Sequence, residues 1–170
     1  MKVTVHTHTE MHLTVDDKMM TVHNINGGAD FADTNRGNIA EAIIKNLSGL
    51  SDIKPAGKGT LDLEGTEVKG NAAQFRSHST EQLPTEKTAF IKAVADSFEG
   101  WLVENECHTI LLVLVRNDEV VIIEMTPAEM TKMLTAGKVR VSVDMKARKI
   151  RLADFTNDWA FWELMDWCRA

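Results

Sequence analysis

The apolar segment Ile110–Val115 constrains the fold of this chain more than any other feature. Its six consecutive apolar residues offer no polar face to solvent, so a strand here must be covered on both sides of its sheet. The segment is far shorter than the roughly 20 residues that a helix needs to cross a bilayer. We therefore expect an α/β protein with helices packed on both faces of a sheet, and no membrane segment.

Four segments have the pattern of helices. Residues 34–47 and 86–105 each carry an apolar stripe at helical spacing. The segment Thr126–Glu129 combines a capping box with proline at the first helical position, and Gly137 is placed to end that helix. A last helix is expected over residues 159–167. Its tryptophans, which we expect in the core or in a subunit contact, are Trp159, Trp162 and Trp167.

Period-two alternation predicts strands at both ends of the chain. Residues 1–15 alternate as one strand, and residues 20–25 return after an Asp-Asp-Lys turn to complete an N-terminal hairpin, residues 1–25. Residues 139–144 and 148–152 predict a second hairpin. Residues 71–83 are polar and are expected to be irregular. Since no repeat, low-complexity tract or linker divides the sequence, we expect residues 1–170 to form a single domain.

Composition limits the compartment and the partners. The N-terminus lacks the apolar core of a secretory signal, so we expect a cytoplasmic protein. Cys107 and Cys168 belong to no CxxC pair and predict neither a zinc site nor a disulfide. The net charge of −6 disfavours nucleic acid as a partner. However, six of the seven charged residues between Lys138 and Arg151 are basic, so a local basic face is compatible with the sequence.

The segment Gly59–Gly70 contains the strongest candidate for a chemical site. If Glu64-Gly65 is a two-residue hairpin loop, Asp62 lies directly opposite Glu67, with the two Cβ atoms roughly 5 Å apart. A three-residue loop would instead pair Asp62 with Thr66 and separate the acids. Glutamate is not a favoured first residue of a two-residue primed turn, so the register is the sensitive step of the prediction.

Two bare carboxylates facing each other on a hairpin repel, and a divalent cation between them removes the repulsion. Oxygen ligands of this kind suit Mg²⁺. Lys69, two residues after Glu67, returns to the same face of the strand. Val68 points to the other face, where it can anchor the strand and offer its carbonyl to the metal. Such a set can hydrolyse phosphodiesters, because the cation neutralises the phosphate and lowers the pKa of a bound water while the lysine orients that water or stabilises the transition state.

This pattern resembles the PD-(D/E)xK nuclease superfamily, which includes restriction endonucleases, Holliday-junction resolvases and repair nucleases. Asp62 matches the first acid of the family motif, and Glu67-Val68-Lys69 matches (D/E)xK. Leu61 stands where the motif has proline. Many members also take a glutamate from the helix before the sheet, and Glu41 is well placed for that role. The resemblance implies that Glu41, Asp62, Glu67 and Lys69 are catalytic, and that Glu41, Asp62, Glu67 and Val68 bind Mg²⁺, or alternatively Mn²⁺.

The resemblance also implies a fold and a substrate. The family core has the order helix, three strands, helix, strand, which the predicted elements of residues 34–115 reproduce. We expect a restriction-endonuclease-like core with a mixed sheet over residues 34–125. The additions are then the N-terminal hairpin and a C-terminal hairpin and helix, residues 138–169. The expected activity is hydrolysis of DNA, and double-strand cleavage by a single-site enzyme requires a homodimer or a higher homo-oligomer.

Basic and polar side chains outside the motif are candidates for DNA contacts. One group lies in Gly57-Lys58-Gly59 and in the loop after the motif, and the other lies on the basic hairpin. The candidates are Lys58, Arg76, Ser77, His78, Lys138, Arg140 and Lys146. Solvated loops and a solvated outer hairpin face account for the same residues without any function.

Two other interpretations remain open. The first is a non-catalytic acidic binding module, an inhibitor or immunity-like partner of a basic protein, which the net charge favours. The second is a metal protein built on the first strand, where alternate residues of one face are potential transition-metal ligands. Those residues are His6, His8, Glu10 and His12. Exposed strand polarity explains the same alternation more simply.

Overall fold

The computed structural model describes residues 1–7, 12–15, 18–21, 36–48, 61–116 and 119–170, and it shows an α/β protein with a mixed sheet. The described strands are β1 (Lys2–Thr7), β2 (His12–Val15), β3 (Lys18–Thr21), β4 (Thr66–Lys69), β5 (Gln74–Arg76), β6 (Thr109–Arg116), β7 (Glu119–Met125), β8 (Val141–Asp144) and β9 (Lys149–Leu152). The described helices are α1 (Arg36–Ser48), α2 (Lys87–Glu104), α3 (Pro127–Thr135) and α4 (Asp158–Arg169). Within these ranges, no helix is long and apolar enough to cross a membrane.

The central sheet has the strand order β1-β7-β6-β4. Strand β4 runs parallel to β6, whereas β7 is antiparallel to both β6 and β1. The prediction that Thr109–Val115 is covered on both faces is confirmed. Leu112 and Leu114 lie in a core with α2, α3 and α4, while Val113 and Val115 lie in a second core with α1.

A second sheet has the order β5-β9-β8 and is antiparallel throughout. It contains the predicted C-terminal hairpin, now bounded as β8 and β9. Strand β5 falls within residues 71–83, which were expected to be irregular; that expectation is wrong for Gln74–Arg76, and the rest of the segment contains no helix or strand. The strand is only three residues long and exposes Arg76, but it fully buries Phe75 against α2 and therefore joins the larger core.

The N-terminal segment also differs from the expectation. Residues 1–15 were expected to form one strand, but β1 pairs with β7 in the central sheet and β2 pairs with β3. The alternation continues through both strands, so the period alone could not show that they belong to different sheets. Val3 and Val5 of β1 are exposed, which is compatible with a position at the sheet edge.

The helix boundaries follow from capping. The Glu86 carboxylate accepts hydrogen bonds from the N–H groups of Thr88 and Ala89 and begins α2. Both hydrogen bonds of the predicted capping box are present at the start of α3. Gly137, with φ of 74°, follows the cap residue Ala136 at the other end, as predicted.

Of the three tryptophans of helix α4, only Trp167 packs against the core, and it is partly buried. The buried side chains of this helix are Ala160, Phe161, Leu164 and Met165. Trp159 and Trp162 are 49% and 51% exposed. Of the two expected locations, the core is therefore wrong for this pair, and the subunit contact stays a prediction. The Arg140 guanidinium lies 4.5 Å from the Trp159 ring centroid, and Arg169 lies 5.7 Å from that of Trp162.

Candidate active site

The turn at Glu64-Gly65 sets the register of the predicted acids. Leu63 and Thr66 exchange two backbone hydrogen bonds of 3.0 and 3.1 Å, which confirms the two-residue loop. Gly65 has φ of 66° while Glu64 has no positive φ, as in a type II turn and unlike the primed turn considered above. This geometry tolerates glutamate at the first loop position, and it makes Asp62 and Glu67 opposite neighbours.

Gly65 also packs against the start of β6. Its carbonyl accepts hydrogen bonds from the backbone N–H groups of His108 and Thr109, at 3.1 and 3.3 Å. A Cβ atom at position 65 would come 2.8 Å from Cε1 of the His108 ring, and closer still to Nε2. The turn therefore requires glycine both for its φ and for the space that a side chain would take.

Substituting Gly65 by alanine is expected to lower the free energy of unfolding by about 2–4 kcal/mol, from left-handed strain plus overpacking. Gly137→Ala is the matched control, because Gly137 also has positive φ, at 74°, but meets no atom within 4 Å. It should show the strain alone, about 1–2 kcal/mol. Urea unfolding measures both values. Equal losses in the two variants would contradict the packing of the turn against His108, and His108→Ala should partly rescue Gly65→Ala.

Asp62 lies at the edge of β4, the outermost described strand of the central sheet. Its Oδ2 accepts a 2.9 Å hydrogen bond from the Val68 N–H, and its own N–H donates to Oε1 of Glu67 at 3.3 Å. A continued antiparallel ladder would give the Val68 N–H to a backbone carbonyl of the residue opposite. The carboxylate takes that place, so the strand expected around Asp62 is reduced to the single bridge at Leu63.

Val68 anchors this edge strand. Its side chain is buried in the core that α1 covers, as the alternation predicted. The backbone N–H of Val68 donates a hydrogen bond to Asp62. The resemblance implies a different role, in which the Val68 carbonyl binds the metal.

Glu41 reaches the same place from α1. Its carboxyl group is hydrogen-bonded to Asp62, and the Glu67 carboxyl group is hydrogen-bonded to Asp62 from the other side. Asp62 is therefore the middle member of three carboxyl groups. Ile39, Ile43 and Ile44 of the same helix are buried against the sheet, and this packing fixes the position of Glu41.

The pKa values of the three acids diverge. Burial, followed by the hydrogen bond to Asp62, raises the pKa of Glu67 from 4.5 to about 8. Burial and Asp62 likewise raise the pKa of Glu41 to about 7. For Asp62, burial opposes ionisation, but hydrogen bonds from Glu67, Glu41 and the Val68 N–H, together with the charge of Lys69, outweigh it and lower the pKa. Asp62 is therefore the most acidic of the three groups, and Glu67 and Glu41 hold their protons to a higher pH than a free glutamate does.

Lys69 completes the set. Its charge contributes to the lowered pKa of Asp62 and opposes the rise in the pKa of Glu67. The ammonium group lies 5.5 Å from the centroid of the Phe75 ring and 5.2 Å from that of Phe98. Phe75 and Phe98 thus form an aromatic wall beside the ammonium group. The four residues that the motif and the helix predicted are all brought together.

The donor set is compatible with a hard divalent cation, but its present geometry is not a coordination shell. Within the described ranges, no group of three or more His, Cys, Asp or Glu side chains is arranged to hold a metal ion. The Glu41 and Glu67 carboxyl groups are instead hydrogen-bonded to Asp62. Burial and then Asp62 raise the pKa values of Glu41 and Glu67, so their ionised forms are disfavoured here, and a bound cation such as Mg²⁺ would favour them.

Two neighbours of the site were not predicted as such. Phe98 and Trp101 were assigned only to the buried face of α2, yet they lie beside Lys69 and His78. Their three-residue spacing shows that they share a helix face, but only the packing of α2 against β5 brings that face to the lysine. Cys107, buried as expected, lies near Glu67, and burial raises the pKa of its thiol.

The predicted DNA contacts do not form one group. Arg76 at the end of β5 and His78 in the loop that follows are exposed, while the Ser77 hydroxyl is bound to Ser97 and to the Ser79 N–H. Lys138, Arg140 and Lys146 are exposed beside or beyond β8, which β9 separates from β5. Lys58 lies outside the described residues. So do His8 and Glu10, two of the potential metal ligands on the first predicted strand.

Comparison with protein-family models, with curated proteins and with solved structures found no match to this chain. The chemistry of the site therefore has to be inferred from its own geometry.

Proposed function

We propose that this chain is a Mg²⁺-dependent endonuclease of the PD-(D/E)xK type that hydrolyses phosphodiester bonds in DNA, with Mn²⁺ as an alternative metal. The observation that carries the proposal is the convergence of three carboxyl groups and one ammonium group at the edge of β4. Hydrogen bonds join Glu41 to Asp62 and Asp62 to Glu67, and Lys69 acts electrostatically on both Asp62 and Glu67.

The order of elements supports a restriction-endonuclease-like core. Helix α1 precedes the Asp62 bridge and β4, and α2 connects β4 to the parallel strand β6. Two features depart from the family pattern. The Asp62 strand is a single bridge, and β5 belongs to the second sheet.

The proposed mechanism assigns one task to each group. Glu41, Asp62 and Glu67 would hold Mg²⁺, which when bound supplies charge neutralisation at the phosphate and a more acidic water. Lys69 orients the attacking water and stabilises the negative charge that develops on the phosphate. The aromatic wall of Phe75 and Phe98 limits the directions in which the lysine can extend. The DNA contacts predicted for Arg76, Lys138, Arg140 and Lys146 remain part of the proposal.

Double-strand cleavage would need two copies of the site. The half-exposed Trp159 and Trp162 of α4 are apolar groups that a homodimer contact could cover. A strictly monomeric protein in light scattering would remove this part of the proposal without affecting nicking.

The test is incubation of the purified protein with supercoiled plasmid in Mg²⁺, in Mn²⁺ and in EDTA. We expect nicked circles with either metal and intact plasmid in EDTA. If plasmid, single-stranded circular DNA and RNA all stay intact with both metals, the proposal is overturned.

The alternative function is an acidic binding module for a basic protein. It is favoured by the net charge of −6 and by the ability of the three carboxyl groups to satisfy one another without a metal. It predicts no cleavage under any of these conditions, so the same experiment separates the two functions.

A further inference from the structure

The loop after β5 presents an aromatic ring near Lys69. The His78 ring stacks on the Trp101 indole with centroids 4.5 Å apart and planes 6° apart. Beneath them, Phe98 lies 5.6 Å from Trp101, and Phe75 contacts Phe98 edge-on at 5.3 Å. Phe75 and Phe98 are buried, while His78 is exposed at the outer end of this aromatic column.

The loop that carries His78 is held from two sides. The His78 N–H donates a 2.8 Å hydrogen bond to the Ser97 hydroxyl on α2. From the second sheet, the Arg148 guanidinium donates to the carbonyls of Ser79 and Glu81, at 2.6 and 2.8 Å. The flat face of the imidazole is therefore oriented in advance, so a planar ligand would find it already in place.

The column is continuous with the catalytic groups. Phe98 connects Lys69 to His78. Its ring centroid lies 5.2 Å from the Lys69 ammonium nitrogen and 5.9 Å from the His78 ring centroid. Burial and then the nearby charge of Lys69 lower the pKa of His78, so the ring is mostly neutral at neutral pH. A neutral imidazole stacks on a base without the cost of desolvating a charge.

We propose that the exposed face of His78, stacked on Trp101 beside Lys69, is a platform for one unpaired nucleobase of the substrate. In a duplex both faces of an interior base are already stacked on neighbours, so only a single-stranded, frayed or splayed base can reach this ring. The inference names the substrate class of the proposed nuclease as DNA with a single-stranded segment at the cleavage site, and it rests on that proposed function.

This role differs from the phosphate contact that the sequence suggested for His78. A phosphate contact uses a ring nitrogen as a hydrogen-bond donor, whereas stacking uses the ring face. Phenylalanine keeps the face and loses the nitrogens, so His78→Phe and His78→Ala separate the two roles. His6→Ala is the matched control, because His6 lies on β1, at the opposite edge of the central sheet from β4.

The experiment measures fluorescence anisotropy of a short labelled oligonucleotide, single-stranded or as the matching duplex, with the full chain in EDTA. We expect tighter binding of the single strand, about 5- to 150-fold weaker binding in His78→Ala, and near wild-type binding in His78→Phe and His6→Ala. Each variant is first compared with the wild type by thermal melting. Equal affinity for duplex and single strand, an unaffected His78→Ala, or a loss in His78→Phe equal to that in His78→Ala would each overturn the platform.

A second arm separates this inference from the nuclease proposal. In Mg²⁺, a duplex with a single-stranded flap should be cleaved faster than the blunt duplex, and the preference should be reduced in His78→Ala. Single-strand binding that depends on the ring but is followed by no cleavage would overturn the nuclease and leave the platform. Cleavage without a preference for the single-stranded flap would overturn the platform and leave the nuclease.

Discussion

Replacement of Lys69 by methionine is expected to reduce Mg²⁺-dependent plasmid nicking by about 10²- to 10³-fold, the usual cost of removing one preorganised electrostatic group. Methionine keeps an unbranched apolar chain that can lie over Phe75 and Phe98, but it removes the charge that acts on Asp62 and Glu67. The fold should therefore persist while turnover is lost. Initial nicking rates at saturating Mg²⁺ measure the effect.

The matched control for this substitution is Lys87→Met. Lys87 is an exposed lysine in the first turn of α2, at the opposite end of that helix from Trp101. It should nick at the wild-type rate. Asp62→Asn should lose activity to at least the same extent as Lys69→Met, because the amide can still accept the Val68 hydrogen bond but no longer carries charge. Undiminished nicking in both Lys69→Met and Asp62→Asn would mean that the activity comes from a contaminant.

The second large effect is expected in the response of stability to pH and Mg²⁺. The raised pKa values of Glu67 and Glu41, about 8 and about 7, mean that the folded chain holds protons that the unfolded chain releases above 4.5. Their stabilisation is full below pH 4.5 and is lost as pH rises through 7 and 8. Asp62, whose pKa is lowered from 3.8, acts oppositely, and its contribution is lost only as pH falls below that value. The metal-free protein should therefore become less stable between pH 5 and 8.

A bound divalent cation replaces the protons of Glu41 and Glu67 and should cancel this decline. At Mg²⁺ a hundredfold above its dissociation constant, the gain is about 2.7 kcal/mol, or roughly 5–10 °C in Tm for a chain of this size. The gain should be larger at pH 8 than at pH 5, where Mg²⁺ competes with protons. Melting curves across this range, with Mg²⁺ or EDTA, measure it.

Two glutamine variants make the second prediction specific. Glu67→Gln should flatten the pH dependence in EDTA and weaken the response to Mg²⁺. Glu64→Gln, an exposed neighbour in the same turn, should behave as the wild type. A pH profile that is identical in Glu67→Gln and the wild type, or a Tm that Mg²⁺ leaves unchanged at pH 8, would contradict the electrostatic account of the site.

Much of the site was predictable because it is local. The pairing of Leu63 with Thr66 needs only a two-residue turn with glycine at its second position, and that pairing fixes the relation of Asp62 to Glu67. The alternation of Glu67, Val68 and Lys69 follows from strand geometry. The position of Glu41 required one assumption about helix packing, which the apolar stripe of α1 supported.

The features that the sequence did not predict are long-range ones. Strand β5 contains three residues and pairs with β9, about seventy-five positions later, so no local period marks it. Strand β1 pairs with β7, whereas β2 pairs with β3. Alternation along the sequence does not show which strand each one pairs with. The helical spacing of Trp159 and Trp162 was compatible with the core or with a subunit contact, and it did not show that the helix turns Phe161 and Leu164 inward instead.

The position of Asp62 at the outermost described strand has a practical consequence. Its carboxylate occupies the hydrogen-bonding site at which another backbone could dock, and an uncapped strand edge invites association with further copies of the chain. Asp62→Ala would thus remove the carboxylate from the site and at the same time expose the edge of β4 to association with other copies of the chain. If that variant precipitated, aggregation at the exposed edge could be mistaken for a requirement of the acid for folding. The isosteric Asp62→Asn still covers the Val68 N–H and therefore tests the loss of charge alone.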